Sequence, residues 1–210
     1  MTDVYIVQKL ENNKDIIVNV PGSKSITNRA LMLAALSDGE CNLDGVLFSD
    51  DSRAFLDCLE KLGFQLFIDE NEKRVKVVGT SGEIPNRKAT IDVRSAGTAA
   101  RFLTVMLAVT GGEYTLNSSE QMKKRPMGEI IDLIRNAGVK ISCLEEEGHF
   151  PFIISSNGLD KKEVSINTDT SSQYASALLM AAVMTGLKIK LTGKRVNGAY
   201  IKITLNMLKQ

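Results

Sequence analysis

The feature that most constrains this chain is an internal repeat. A strand, a loop of small polar residues, an apolar helix, a strand, an amphipathic helix and a hairpin follow one another, and the order then starts again. In the first copy the loop and apolar helix are PGSKSITNRALMLAAL, from Pro21 to Leu36. A strand follows at CNLDGVLF after a turn at SDGE. SDDSRAFLDCLEKLG is the amphipathic helix, and FQLFID and KRVKVVG make the hairpin around DENE. The second copy runs through ATIDVRSAGTAARFLTVMLAV, GGEYTLNSS, RPMGEIIDLIRNAG, and VKISCLE with FPFIISS. The third begins at EVSINTDTSSQYASALLMAAVMTG, continues through LKIKLTG and AYIKITLNMLKQ, and has no hairpin. Gly63 and Gly138 close equivalent helices. The strands VYIVQKL and DIIVNV precede the first copy and can pack elsewhere.

Helices that are apolar all round belong in a core, so the fold expected is a mixed α/β one: βαβαββ units whose three apolar helices pack in parallel inside three sheets. Each of those helices follows a small-residue loop. GSKS, SAGT and DTSSQ are therefore expected near one another at one end, where helix N-termini present N–H groups and a positive dipole. Ser23 or Ser25 can cap the first helix, with Lys24 and Arg29 beside its first turn. Ser/Gly loops more often cap a helix than bind anything. Three in equivalent positions, with Lys24, Arg29 and Arg101, point to a site for more than one anion.

A further basic cluster, MKKRPMGE, puts Lys123, Lys124 and Arg125 ahead of a helix whose first turn suits Pro126. Arg125, beside the rigid proline, is the candidate for a forked contact with phosphate or carboxylate; Lys123 and Lys124 read as a solvated loop. Asp50 and Asp51 read as helix-capping acids ahead of catalytic ones, His149 as a surface residue, and Cys58, Met32, Met106, Met180 and Met207 as packing.

Composition narrows the function classes. A net charge of +1 over 210 residues, with 5% aromatic residues, supplies neither a basic stripe nor stacking platforms for nucleic acid. No apolar run approaches the roughly 18 to 20 residues that cross a bilayer, and the stretch MTDVYIVQKLENNKD lacks the charge-then-apolar order expected of a signal peptide. Cys41, Cys58 and Cys143 form no pair with metal-ligand spacing. A cytoplasmic protein without a metal site is expected.

PGSKSITNRALMLAAL, SAGTAARFLT, MKKRPMGEIID, DTSSQYASALLMAA and AYIKITLNML together resemble the EPSP synthases, enolpyruvyl transferases of the shikimate pathway, in order and approximate spacing. The resemblance covers nearly the whole chain but about the first half of the family's length. It implies a domain of three units, about 22–85, 86–157 and an incomplete 158–210, with residues 1–20 belonging to or leading from a second domain. It implies transfer of enolpyruvyl from phosphoenolpyruvate to the 5-hydroxyl of shikimate 3-phosphate, without metal or cofactor. By resemblance Lys24 and Arg125 contact phosphoenolpyruvate, and Gly97 lines the enolpyruvyl pocket. Ser25 and Arg29 hold the shikimate carboxylate. Ser171 and Ser172 hold the phosphate of the sugar-like substrate, Gln173 lies against its ring and Tyr200 beside it. Arg101 and Asn197 are further candidates. The family's acid and base residues lie in the other half, so a complementary C-terminal half is the expected partner and the chain alone is expected to be weakly active or inactive. Two alternatives stay open: the sister family acting on a UDP-sugar, whose reactive Cys would precede the Arg-Pro pair where Met122-Lys123-Lys124 stand, and a non-catalytic anion-binding or interaction domain.

Overall fold

The computed structural model describes residues 6, 20–169, 171–194, 196 and 198–210. Apart from Ile6 and Val20, the two strands expected ahead of the first copy lie outside the described residues, as does the candidate Asn197. The first unit contains α1 (Lys24–Leu36), β1 (Asp38–Asp44), α2 (Asp50–Lys61), β2 (Leu66–Asp69) and β3 (Arg74–Thr80). The second contains β4 (Lys88–Asp92), α3 (Gly97–Thr110), β5 (Gly112–Asn117), a single turn α4 (Glu120–Lys123), α5 (Gly128–Asn136), β6 (Lys140–Cys143) and β7 (Phe152–Ser156). The third contains β8 (Glu163–Asn167), α6 (Ser172–Thr185), β9 (Lys188–Thr192) and α7 (Ala199–Met207).

The sheets follow the repeat. The second unit makes a four-stranded sheet in the order β4-β5-β7-β6, with β4 parallel to β5 and the hairpin antiparallel. The first contributes β1-β3-β2, all antiparallel, and the third the parallel pair β8-β9. A parallel pair needs a crossover, and the apolar helix supplies it: α3 between β4 and β5, α6 between β8 and β9.

These three apolar helices form the centre. Leu31, Met32 and Ala35 of α1, Phe102, Leu103 and Met106 of α3, and Ala175, Ala177 and Met180 of α6 are all fully buried. Each large apolar side chain removed from water here contributes about 1.5–3 kcal/mol. The hairpin strand of each complete unit covers its helix. β3 buries Val75 and Val77 and approaches α1 so closely that a Cβ on Gly79 would lie 2.4 Å from the Ser37 carbonyl oxygen. Only glycine fits there.

The local signals hold with instructive exceptions. Ser49 caps α2 in a reciprocal box with Ser52, whose hydroxyl accepts the Ser49 N–H at 2.8 Å, and Asp50 and Asp51 fall in the first turn. Gly63 and Gly138 follow their helices at φ of 89° and 102°. The SDGE segment, expected as a turn, is instead the start of β1, because Asp38, Gly39 and Glu40 pair with Thr80, Gly79 and Val78. Pro126 lies ahead of α5 rather than in its first turn, since the helix starts at Gly128 after Met127. Met207 is half-buried rather than core, at the end of α7, and His149 is half-buried rather than on the open surface.

Candidate anion-binding site

The N-termini of α1, α3 and α6 open onto one cleft of about 460 Å³. Lys24 reaches it from α1, Gly97, Thr98 and Arg101 from α3, and Ser171, Ser172, Gln173 and Tyr174 from α6. Asp51 enters from the first turn of α2, and Arg125 with Pro126 from the loop between α4 and α5. The loops meet because each precedes the helix of its own unit and those helices pack side by side. Ser23 occupies the N-cap of α1 and Ala96 that of α3, and neither side chain bonds the helix. The first-turn N–H groups there have no side-chain cap, against the expectation that Ser23 or Ser25 would supply one. Ser171 does cap α6, accepting from the Gln173 N–H at 3.2 Å, and its hydroxyl proton remains available to an anion.

Charge in the cleft is three cations against one carboxylate. Lys24 Nζ pairs with Asp51 Oδ2 at 3.2 Å. Arg101 donates from Nη1 to the Gly97 carbonyl at 2.8 Å, while its Nε is buried without a partner. Gly97 is the floor between the two arginines: a Cβ there would lie 2.9 Å from Arg101 Nη1 and 3.0 Å from Arg125 Nη1. Two guanidinium groups thus converge over a residue that carries no side chain, beside the positive end of α3. That is an arrangement for a forked, doubly charged oxyanion.

The arginine loop is held at both ends. Met122 and Met127 are fully buried, and the exposed residues Lys124, Arg125 and Pro126 span between them. Ser95 and Ser119 join hydroxyls at 2.7 Å, and the Ser119 N–H donates to the Arg94 carbonyl, which fastens the approach to α3 against the approach to α4. Lys123, half-buried rather than solvated as expected, pairs with Glu145 and Glu120.

Arg29 is not in the cleft. It is 2% exposed and lies on the side of α1 that faces α6 and α7. Its Nε donates to Thr204 Oγ1 at 2.7 Å, Nη2 to Ser176 Oγ at 2.9 Å and Nη1 to the Ser25 carbonyl at 2.8 Å. The rings of Phe102 and Tyr200 flank it at 5.3 and 5.7 Å. No carboxylate among the described residues is within ion-pair range of it. Burial holds its pKa below the ordinary value, with Tyr200 acting weakly the other way. Ser25 and Tyr200 belong to this second cluster and do not line the cleft; the Tyr200 side of it is open, with that residue 51% exposed.

Of the residues singled out in the sequence, Lys24, Gly97, Arg101, Arg125, Ser171, Ser172 and Gln173 therefore meet, and Ser25, Arg29 and Tyr200 form a neighbouring group. Asp51 and Tyr174 are cleft residues that sequence reasoning passed over. Asp51 carried the signal of a helix-capping acid, and Tyr174 stands directly after the Ser-Ser-Gln run, a position that could have drawn attention to it. Among the described residues no cluster of three or more His, Cys, Asp or Glu side chains could hold a metal, and no helix is long and apolar enough to cross a membrane.

Comparison with known proteins bears on the family. The profile of the family described as EPSP synthase (3-phosphoshikimate 1-carboxyvinyltransferase) matches residues 9–210. The chain is 36% identical over 208 residues to a 3-phosphoshikimate 1-carboxyvinyltransferase of Trichormus variabilis, covering 98% of this chain and 49% of that protein. It is 43% identical over 202 residues to the enzyme of the same name from Neisseria meningitidis serogroup B, covering 94% and 46%. The chain thus spans about half the length of the curated relatives it matches. A solved structure of EPSP synthase from Acinetobacter baumannii superposes with a TM-score of 0.76 at 23% identity over 88% of this chain and 42% of that one, a likeness of fold. With the cleft, the repeat and these relatives agreeing, the chain belongs to the EPSP synthase family.

Proposed function

We propose that this chain is the N-terminal portion of a 3-phosphoshikimate 1-carboxyvinyltransferase, and that its cleft binds shikimate 3-phosphate and phosphoenolpyruvate side by side. The observation that carries this reading is the convergence of Arg101 and Arg125 over Gly97, one helix start away from Ser171 and Ser172. Both substrates are anions. In this reading Lys24 and Arg125 take phosphoenolpyruvate, with Gly97 leaving room for its three-carbon unit and Arg101 adding charge. Ser171 and Ser172 take the phosphate of the other substrate, and Gln173 borders its ring. The carboxylate of that substrate turns toward Arg29, Ser25 and Tyr200, which it reaches once α7 shifts enough to release the Arg29 Nε–H from Thr204.

The reaction protonates the vinyl carbon and adds the 5-hydroxyl oxygen to the adjacent carbon with loss of the hydroxyl proton; phosphate is then expelled as the new methyl group gives up a proton, which restores the double bond. This chain's part is to hold both anions against each other and neutralise the charge that leaves with phosphate. Residues 21–210 form the substrate-binding domain in this reading, residues 1–20 lead to a second domain, and a complementary C-terminal half supplies proton transfer. Removal of water by that second half strengthens each ion contact.

A calorimetric or NMR titration of the folded chain with shikimate 3-phosphate tests the reading, with shikimate and a UDP-sugar as controls. Saturable binding that requires the phosphate and weakens about tenfold in Ser171→Ala supports it. A folded chain that binds neither shikimate 3-phosphate nor phosphoenolpyruvate overturns it. Turnover that appears when the second half is added in trans extends the same test to the reaction.

A further inference from the structure

Tyr174 lines the cleft, and its hydroxyl, the only polar atom of its side chain, is bonded to another part of the cleft wall. It sits in the first turn of α6, directly after Ser172 and Gln173, and is 3% exposed. Its hydroxyl donates across to the Pro126 carbonyl at 3.0 Å, the residue immediately after Arg125. Its ring stands 5.6 Å from the Arg101 guanidinium carbon. We propose that Tyr174 is a positioning residue that ties the Arg125 loop to α6, so that the arginine end of the cleft is set by the serine end. The proposal rests on the reading of the cleft given above.

Space-filling does not account for the hydroxyl. A phenylalanine would occupy the same buried volume and keep the ring beside Arg101, but it would leave the Pro126 carbonyl without this bond. The loop has little else to fix it. Arg125 N–H closes a turn onto the Met122 carbonyl, Pro126 has no N–H to give, and the next anchor is the Met127 N–H on the Gly148 carbonyl. Among the described residues, the Tyr174 hydroxyl makes the one side-chain hydrogen bond to the backbone of residues 124–126. Where that backbone sits decides whether Arg125 Nη1 lies over Gly97 or swings into solvent. Burial pushes the Tyr174 phenol above its ordinary value and Arg101 draws it only partly back, so the hydroxyl remains a donor at neutral pH.

The consequence is a coupling between the two anions. A phosphate held by Ser171 and Ser172 restrains the first turn of α6, and through Tyr174 the same restraint reaches Arg125. The second anion then meets an arginine already in place.

A double-mutant cycle tests this on the whole chain, with phosphoenolpyruvate as the probe and affinity read by NMR titration. Tyr174→Phe is expected to weaken binding about fivefold, the size of one ordinary hydrogen bond. In an Arg125→Ala background the same change should have no further effect, because there is no arginine left to position. Equal weakening in both backgrounds would mean that the tyrosine merely supports α6 and would overturn the proposal, as would an unchanged affinity in Tyr174→Phe. Side-chain Nε relaxation of Arg125 in the ligand-free proteins gives a second measure, with greater mobility expected in Tyr174→Phe. A folded wild-type chain that does not bind phosphoenolpyruvate overturns both this proposal and its function reading. Wild-type binding with additive mutants overturns the role of Tyr174 alone.

Discussion

Lys24 Nζ lies 3.2 Å from Asp51 Oδ2, so the single carboxylate lining the cleft is held against one of its three cations. The pair is partly exposed, with side chains 46% and 23% accessible, and its worth to stability is small for that reason. Its effect on a bound anion is another matter. Asp51 both occupies Lys24 and repels a phosphate. Asp51→Asn should therefore bind phosphoenolpyruvate about two- to fivefold more tightly at low salt, with a steeper loss of affinity as salt is added. Titrations at two ionic strengths check this, and weaker binding by the variant would show that Asp51 orients Lys24 rather than competing for it.

Thr204 accepts the Arg29 Nε–H at 2.7 Å inside a cluster that contains no counter-ion among the described residues. Its hydroxyl also donates to the Tyr200 carbonyl at 2.9 Å. Thr204→Val keeps the shape and removes the acceptor from a buried charged donor, which costs about 1–3 kcal/mol. For a chain of this size the Tm should fall by several degrees, about 2–4 °C per kcal/mol. An unchanged melting curve would mean that Arg29 finds another acceptor when α7 gives way.

Cys58 is 1% exposed on the buried face of α2, and burial raises its thiol from the ordinary 9.0 to about 12. A raised acid favours the folded state only while the thiol stays protonated. The linked stability is thus intact below pH 9 and is lost progressively as pH rises from there toward 12, where the folded thiol ionises too. Cys58→Ala should flatten that alkaline decline in a denaturation series. In the native chain a thiol reagent at pH 8 should modify the half-buried Cys41 and Cys143 first, with Cys58 reacting only on unfolding.

Much of this molecule was legible in the residues alone. Repeat order, the burial of α1, α3 and α6, and the gathering of the GSKS, SAGT and DTSSQ loops at one end follow from local rules: a small-residue loop, then an apolar helix, three times over. Those rules act between residues a few positions apart, so a linear reading can apply them. The strand at Asp38 to Glu40 escaped such a reading because turn-forming residues there are overruled by β3, which pairs with them from 40 positions further along.

What the fold alone decided lies between elements. Arg29 follows Lys24 by five residues, a rotation of about 140° on a helix, and so faces a different neighbour. That the neighbour is α7, bringing Thr204 from 175 residues away and burying the guanidinium, is set by packing. So are the pairing of Asp51 with Lys24 and the reach of Tyr174 to Pro126 across 48 residues. Sequence determines which side chains each helix start carries, because capping, propensity and periodicity are short-range. Which of them meet, and which is taken by a partner before any ligand arrives, depends on how three helices close on one another, and only the tertiary structure sets those distances.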